Sequence, residues 1–271
     1  MNVSLYHTMP RLPRKLQLPE AVGQARRNSA HRSHYDRKDT TRASCDRNRG
    51  QPWHWGGGCP LCALGAKVVL AARNQARLDS LARELESLGG SAISQPTDLR
   101  QPEQIRKLIE VAAALGRIDL LVNNAGIGAF GSPLHETGLE TWDGIMETNL
   151  RAVYLAMRFA APVMIRQRSG QMINISSLAA HNPVPMGAVY AASKWGLNGM
   201  SYAAAEELRS YGIRVSVICP GSVDTDLAPN RGKHRNRMLQ PEDVAHVVAM
   251  LATQSERSFA SEVLLRPTLK P

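Results

Sequence analysis

Hydrophobic and polar residues follow two different patterns along the chain. From Gly65 onward, short apolar runs alternate with longer amphipathic stretches, whereas residues 1–62 show no sustained period of 2 or 3.6. The short runs predict buried strands and the amphipathic stretches predict helices. Strands are predicted over residues 67–71, 92–94, 120–122, 172–175 and 215–218. Helices are predicted over residues 74–88, 102–115, 139–167, 190–211 and 241–251.

This alternation of strands and helices predicts an α/β protein. Strands that are apolar on both faces indicate a parallel sheet covered by helices on both sides. Residues 64–271 are therefore expected to form a single doubly wound, Rossmann-like domain, which would bind ligands at the carboxyl ends of its strands. Residues 1–63 are rich in Arg, His, Asn, Ser and Pro and are expected to be disordered.

The net charge of +10 belongs mainly to the first part of the chain. Residues 1–62 hold 11 Lys and Arg against 4 Asp and Glu, and the remaining residues hold 22 against 19. Arg and His clusters without aromatic stacking are a weak indication of nucleic-acid binding, so no such partner is expected. No apolar run reaches the ~20 residues that a membrane-spanning helix needs, and no membrane partner is expected either.

The cysteines divide along the chain in the same way. Cys45, Cys59 and Cys62 lie in the first segment and only Cys219 lies beyond it. This distribution gives no disulfide framework and favours a reducing, cytoplasmic location. Cys59-x-x-Cys62 with His54 is a single short knuckle, so no metal site is expected.

Three polar groups lie at the predicted carboxyl ends of strands. Tyr190 and Lys194 share one helical face, where the ammonium would stabilise a phenolate and lower the pKa of the tyrosine. Ser177 follows a strand and could hydrogen-bond a substrate oxygen. The small residues from Asn123 to Gly126 end another strand and would admit a cofactor to the backbone. Taken singly, the three are explained equally well by a solvated pair, a serine-rich turn and a tight turn.

Together, these residues resemble the short-chain dehydrogenase/reductase family. The resemblance runs from Gly65 to about Leu227, with a weaker continuation to Pro271. The segments that carry it are Asn123-Asn124-Ala125-Gly126, Glu147-Thr148-Asn149-Leu150, Ser177, Tyr190-x-x-x-Lys194 and Pro220-Gly221-Ser222-Val223-Asp224-Thr225.

The resemblance implies reversible hydride transfer between a nicotinamide cofactor and a carbonyl or secondary alcohol. It makes Tyr190 the general acid and base, and it makes Lys194 the residue that lowers the pKa of Tyr190 and holds the nicotinamide ribose. Ser177 would orient the carbonyl, and Asn149 would support a water-linked proton relay.

The same resemblance implies contacts to the cofactor at the strand ends. Those contacts are Asp98 to adenine, Asn123, Ala125 and Gly126 to its ribose, and Pro220, Gly221, Val223 and Thr225 around the carboxamide. Where NAD enzymes of this fold carry an acid, this chain has Ala72 followed by Arg73. An arginine in a solvated loop is the alternative explanation. However, no acid at this position would repel a 2′-phosphate, and the Arg73 guanidinium would attract it, so NADP(H) is favoured.

The chain departs from the family at its start, where no Thr-Gly-x-x-x-Gly-x-Gly turn precedes Gly65. The codons of residues 48–56, shifted by one nucleotide, permit Thr-Gly-Ala-Ser-Arg-Gly-Ile-Gly. We interpret residues up to about 63 as an out-of-frame translation, so that the first strand and its glycine turn are missing or replaced. A gap or a substitute strand is then expected between the strands at 67–71 and 120–122.

The sequence therefore predicts an NADP(H)-dependent oxidoreductase similar to 3-oxoacyl-carrier-protein reductase or a related ketoreductase. The alternative is an inactive remnant that cannot bind its cofactor, and a nucleic-acid binder using the basic segment is a third hypothesis. Residues 180–186 and the loop after Leu227 suggest a partly apolar pocket for a small carbonyl or alcohol, but core or lid packing explains them equally well. Small residues around the helices at 139–167 and 190–211 predict a homodimer or homotetramer.

Overall fold

The computed structural model describes Val3–His7 and residues 66–271 apart from 88, 226 and 228–233. The strands within these residues are β1 Val3–His7, β2 Lys67–Ala72, β3 Ser91–Pro96, β4 Leu120–Asn123, β5 Gly170–Ile175, β6 Ile213–Pro220 and β7 Glu262–Leu265. The helices are α1 Gln75–Ser87, α2 Pro102–Ala114, α3 Leu139–Met146, α4 Ala152–Gln167, α5 Ala188–Leu208 and α6 Pro241–Ala252. The strands form one sheet in the order β3-β2-β1-β4-β5-β6-β7.

The predicted α/β doubly wound architecture is confirmed. Each predicted strand and helix is present with its ends shifted by a few residues. The helix predicted over 139–167 consists of α3 and α4 joined by a π-helical turn at Glu147–Arg151. Strand β7 was not predicted, because its residues are only half-buried and show no clear period.

Side chains at the helix starts explain why several helices begin where they do. Asn74 Oδ1 accepts a hydrogen bond of 3.0 Å from the Arg77 amide and caps α1. Pro102 opens α2, where its missing amide proton costs nothing. Before α6, the Asp243 carboxylate accepts from the Gln240 amide at 2.7 Å.

Alternate residues of each strand pack on opposite faces of the sheet. In β2, Val68 and Leu70 belong to a cluster with α1 and α6, whereas Val69 and Ala71 belong to a cluster with α2, α4 and α5. These side chains are almost completely buried, since both faces are covered by helices. The carboxyl ends of the parallel strands are consequently the open edge at which polar groups gather.

Strand β1 occupies the centre of the sheet but runs antiparallel to both of its neighbours. Val3 lies opposite Ala71 of β2 and Asn123 of β4, and His7 lies opposite Lys67. The other pairings, β2 with β3 and β4 through β7, are parallel. A substitute strand therefore fills the expected place, and the chain leaves it at the amino-terminal edge of β2.

The remaining residues of the first segment, 8–65, lie outside the described residues. This applies to their predicted disorder, to the shifted reading frame at 48–56 and to the cysteine knuckle at 59–62. Among the described residues, no helix has both the length and the apolar character required to cross a bilayer.

Replacing Leu5 by proline tests the pairing of β1. Leu5 lies opposite Val69 on one side and Leu121 on the other, so a proline removes a backbone donor from a strand that is paired on both edges. We expect the free energy of unfolding in urea to fall by about 1–3 kcal/mol relative to Leu5→Ala, which keeps the amide. Equal unfolding midpoints for the two variants would contradict this pairing.

Candidate active site

Tyr190 lies in the first turn of α5 and faces the carboxyl end of β5. Its side chain is only 4% exposed, and its hydroxyl forms a hydrogen bond with the Ser177 side chain. Ser177 belongs to the turn after β5, where its Oγ also accepts from the Ala179 amide at 3.1 Å. That second bond fixes the serine rotamer, so the two hydroxyls that the sequence singled out are held together.

Lys194 lies one helical turn after Tyr190 on the same face, as the spacing predicts. Its Nζ is 5.9 Å from the centre of the Tyr190 ring and donates a 2.9 Å hydrogen bond to the Ile175 carbonyl. The ammonium group is buried beneath the end of β5. In this structure, therefore, the lysine holds the backbone of β5 while lying beside the tyrosine ring.

Burial dominates the protonation of both residues. It raises the pKa of Tyr190 above its usual value, although the hydrogen bond from Ser177 acts in the opposite direction. It lowers the pKa of Lys194 to about 8. Desolvation therefore dominates the pKa of Tyr190, and a lowering of that pKa by Lys194 stays a prediction.

Asn149 lies in the π-helical turn between α3 and α4, where the wider turn directs its side chain inward. It is completely buried, and its amide both donates to the Ile127 carbonyl at 2.9 Å and accepts from the Ile127 amide at 2.8 Å. Its Nδ2 also lies 3.1 Å from Ser193 Oγ, which donates to the Tyr190 carbonyl at 2.7 Å. Asn149 is thus connected to the tyrosine through one serine, which the sequence analysis did not single out.

Gly126 lies against both Asn149 and Lys194. A Cβ built on this glycine would be 3.5 Å from Asn149 Oδ1 and 3.6 Å from Lys194 Nζ. The end of β4, the π-helical turn and α5 therefore meet at one point, where Ala125 is buried as well. The four predicted catalytic residues and this part of the predicted cofactor-binding segment lie within one contiguous region.

The Asn123 side chain, which was expected to lie at an adenine ribose, is buried inside the fold. It is 2% exposed and donates to Asn174 Oδ1 at 2.8 Å. Asn174 in turn donates to Ser201 Oγ at 2.8 Å, so this amide chain joins β4 and β5 to α5 inside the fold. The side chain of Asn123 is therefore engaged in the sheet, and sequence spacing alone could not distinguish this role from ligand contact.

A cavity of about 310 Å³ is lined by Phe130 and by Val189, the residue before Tyr190. The Phe130 ring lies 5.0 Å from the Tyr190 ring, centre to centre, and forms part of the cavity wall. A Cβ at Gly128 would come within 2.9 Å of the Leu227 carbonyl, so glycine permits this close packing. The wall combines apolar and hydroxyl side chains, among them Met186, Val189, Leu227, Ser132, Thr137 and Thr141. Met186 comes from the stretch 180–186 that suggested a pocket, whereas residues 228–233 of the loop after Leu227 lie outside the described residues.

The ends of β2 and β3 bring together Arg73, Asp98 and Arg100. The Asp98 carboxylate receives two hydrogen bonds from the Arg100 guanidinium, at 2.7 and 3.1 Å. These bonds, and to a smaller extent the charge of Arg73, keep the pKa of Asp98 below its usual value. The predicted pair of Arg73 and Asp98 thus lies at one strand edge, with Arg100 as a second cation that the sequence analysis missed.

The turn after β6 is fixed by backbone hydrogen bonds. The Gly221 amide donates to the Leu265 carbonyl of β7 at 2.8 Å, directly after Pro220 ends β6. Val223 forms a parallel bridge with Leu239, and Thr225 is 6% exposed. This turn therefore follows the carboxyl end of β6, beside the end of β5 that carries Ser177.

Replacing Lys194 by methionine tests its burial. Because the pKa of Lys194 is about 8 in the folded protein and 10.5 in the reference state, the unfolded chain binds more protons between these values. The free energy of unfolding of the wild type should therefore rise by roughly 2–3 kcal/mol from pH 7 to pH 10, relative to Lys194→Met. The exposed Lys107→Met serves as control, and parallel pH profiles for wild type and Lys194→Met would contradict the assignment.

Comparison with known proteins places these residues in context. The family model described as short chain dehydrogenase matches residues 60–236. An uncharacterized oxidoreductase of Staphylococcus aureus (strain USA300) is 30% identical over 204 residues, covering 75% of this chain and 87% of that protein. The 3-oxoacyl-[acyl-carrier-protein] reductase of Thermotoga maritima is 33% identical over 211 residues, covering 74% of this chain and 85% of that protein.

Solved structures give the same result. A metagenomic short-chain oxidoreductase in complex with NADP is 49% identical, with a TM-score of 0.69, and covers 78% of this chain and 89% of that chain. A dehydrogenase/reductase from Sinorhizobium meliloti 1021 is 34% identical, with a TM-score of 0.70, covering 77% and 87%. The family model matches well over half of the residues of this chain. The chain therefore belongs to the short-chain dehydrogenase/reductase family of oxidoreductases.

Proposed function

We propose that this oxidoreductase uses NADP(H) to interconvert a carbonyl and a secondary alcohol, as a 3-oxoacyl-carrier-protein reductase or a related ketoreductase. The observation that carries the proposal is the buried Tyr190 hydroxyl, which is hydrogen-bonded to Ser177 beside the cavity at Phe130. A hydroxyl pair behind a residue of the cavity wall suits a substrate oxygen that must gain or lose a proton. The cofactor would supply the hydride.

Each of the four catalytic candidates would have its own task. Because burial raises its pKa, Tyr190 is protonated at neutral pH and is suited to donate a proton during reduction. Ser177 would hydrogen-bond the same substrate oxygen and orient it. Lys194, whose Nζ now bonds the Ile175 carbonyl, would hold the nicotinamide ribose. Asn149, held by its bonds to Ile127 and Ser193, would support a water-linked proton relay.

The preference for NADP(H) is supported by charge at the ends of β2 and β3. Arg73 is exposed directly after β2, which ends at Ala72 in place of an acid, and Arg100 adds a second guanidinium nearby, paired with Asp98. The metagenomic relative was solved in complex with NADP. The nicotinamide end would lie near Lys194, with the turn from Gly221 to Thr225 around its carboxamide.

The alternative, an oxidoreductase remnant with impaired cofactor binding, is favoured by one observation. In this fold the pyrophosphate is held where the chain leaves the first strand at the carboxyl edge and enters a helix. Here β1 is antiparallel, so His7 leaves it at the opposite edge, beside Lys67. The described residues therefore offer no such turn from β1.

We further propose a homodimer or homotetramer in the cytoplasm. Large aromatic side chains are exposed on the helices that were predicted to pair, including Tyr154 on α4 and Trp195 and Tyr202 on α5. Apolar surface of this kind is typical of an interface between symmetric copies.

The variant Tyr190→Phe tests the proton donor. We expect turnover of a carbonyl panel with NADPH to fall by about 10²–10⁴-fold, because only the hydroxyl is lost. NADPH should raise the melting temperature of wild type and variant alike, since the variant keeps the cofactor site. Tyr211→Phe, an exposed tyrosine beyond α5, is the matched control. Retained turnover would refute the role of Tyr190, and an absent NADPH effect on wild type would favour the remnant.

The variant Arg73→Asp tests cofactor choice. It replaces attraction to a 2′-phosphate with repulsion, so the ratio of NADPH to NADH affinity should fall by at least ~10-fold. Arg83→Asp makes the same charge change on the exposed face of α1, away from the strand end. An unchanged ratio in Arg73→Asp, or an equal fall in Arg83→Asp, would show that Arg73 does not select the cofactor.

A further inference from the structure

A second polar cluster lies beside the candidate active site, where the turn after β5 meets β6, β7 and α5. Its centre is the Glu262 carboxylate at the start of β7. Glu262 Oε1 lies 2.7 Å from His181 Nε2, 2.7 Å from Tyr202 Oη and 3.4 Å from Cys219 Sγ. Asn198 Nδ2 on α5 is 3.2 Å from the same oxygen. None of these side chains has a part in the proposed proton transfer.

Three of these side chains carry the atoms that bind transition metals. His181 Nε2, Cys219 Sγ and a Glu262 carboxylate oxygen all lie within 4.8 Å of one another. Cys219 is completely buried, whereas the His181 and Glu262 side chains are 31% and 26% exposed. The thiol therefore forms the floor of the cluster, and the imidazole and carboxylate form an opening to solvent through which an ion can enter.

We propose that His181, Cys219 and Glu262 form a binding site for a zinc ion. Tetrahedral zinc bonds of about 2.0–2.3 Å separate neighbouring ligand atoms by roughly 3.3–3.8 Å. Cys219 Sγ lies 3.7 Å from His181 Nε2 and 3.4 Å from Glu262 Oε1, so two of the three separations already have this size. The third, between His181 and Glu262, is 2.7 Å because one proton is shared there, and it must open slightly when the ion replaces that proton.

The ligand types select zinc over magnesium or calcium. A thiolate, an imidazole and a carboxylate form a mixed donor set that suits a borderline ion, whereas magnesium and calcium need oxygen ligands. The Asn198 amide supplies a fourth contact, since its Nδ2 lies 3.3 Å from His181 Nε2 and 3.6 Å from Cys219 Sγ. Rotating this amide by 180° brings its oxygen to the same position, and water is the other possible fourth ligand.

Proton and charge balance are compatible with this partly buried position. On binding, the Cys219 thiol releases its proton to solvent, and the proton between His181 Nε2 and Glu262 moves to His181 Nδ1 by exchange with solvent, so that the ring stays neutral. The thiolate and the carboxylate then neutralise the two positive charges of the ion. No net charge is left in a region of low dielectric constant, which avoids the large cost of burying an isolated ion.

The sequence analysis expected no metal site, because it considered only closely spaced cysteines. The ligands proposed here are distant along the chain, since His181 and Glu262 are 81 positions apart. A zinc ion would join the turn that follows Ser177 to β6 and β7. It would therefore stabilise the segment from which Ser177 faces Tyr190, whatever substrate or cofactor the enzyme uses.

Cobalt substitution tests the site in the full chain. Since Cys45, Cys59 and Cys62 could also bind metal, they are first replaced by serine. Titration with Co²⁺ alone should then produce a thiolate-to-cobalt charge-transfer band that saturates at one ion per chain, and added Zn²⁺ should abolish it. Zn²⁺ should also raise the melting temperature. Cys219→Ser should eliminate the band.

The neighbouring ligands provide a second test. His181→Ala and Glu262→Gln should each weaken Co²⁺ binding by more than the ~10-fold that loss of an outer partner typically causes. His135→Ala is the matched control, because His135 is an exposed histidine 3.5 Å from Glu136 with no thiol in the pair.

Circular dichroism shows which variants are folded. Absence of the band, or its persistence in Cys219→Ser, would mean that the cluster is a hydrogen-bond network only and would overturn the proposal. If Cys219→Ser does not fold, an unchanged affinity of Glu262→Gln for Co²⁺ would overturn the proposal. The result is independent of carbonyl reduction, since no substrate or nicotinamide is present.

Discussion

The middle of the sheet imposes the strictest constraint on this protein, because β2 and β4 are buried on both faces and each needs a hydrogen-bonded neighbour. An unpaired strand edge in that position would leave backbone groups without partners, at about 1–3 kcal/mol for each. Five residues from the start of the chain satisfy both edges. Strand direction matters less than pairing for this purpose, since an antiparallel strand satisfies the same donors and acceptors.

The candidate active site depends on a different part of the sheet. Tyr190, Ser177 and Lys194 are positioned by β5 and α5, and Asn149 by the π-helical turn. These elements are joined by parallel pairing between β4, β5 and β6 and by buried polar bonds to α5. The arrangement of these four side chains can therefore persist while the centre of the sheet is built from an unrelated segment.

Local sequence signals predicted the parts of the fold that depend on local chemistry. Apolar runs located the strands, and Asn74, Pro102 and Pro241 located helix starts, because caps and prolines act within one turn. The spacing of Tyr190 and Lys194 predicted their shared face for the same reason. Strand β1 was missed because five residues are too few to show a period within an Arg-rich, Pro-rich segment.

Properties that depend on three-dimensional surroundings could not be predicted in this way. The direction of the Tyr190 pKa shift follows from desolvation, which no spacing reveals. From the sequence, the Asn123 side chain could contact either a cofactor ribose or another side chain of the sheet. Only the register of β4 with β5 places it opposite Asn174. The Glu262 cluster joins segments that are separated by as many as 81 residues, so nothing in a short window indicates it.

The position of β1 also determines how the molecule can open. No hydrogen-bonded ladder joins β2 directly to β4, so the sheet consists of a leaf of two strands and a leaf of four that are connected through β1. Arg73 and Asp98 belong to the first leaf, and Tyr190 packs on the second. Dissociation of those five residues would be a sub-global opening that breaks the hydrogen-bonded connection between the two leaves and keeps them joined by packing alone. The hydrogen-bonded connection between the leaf that ends at Arg73 and the leaf on which Tyr190 packs thus passes through β1, a segment that carries neither residue.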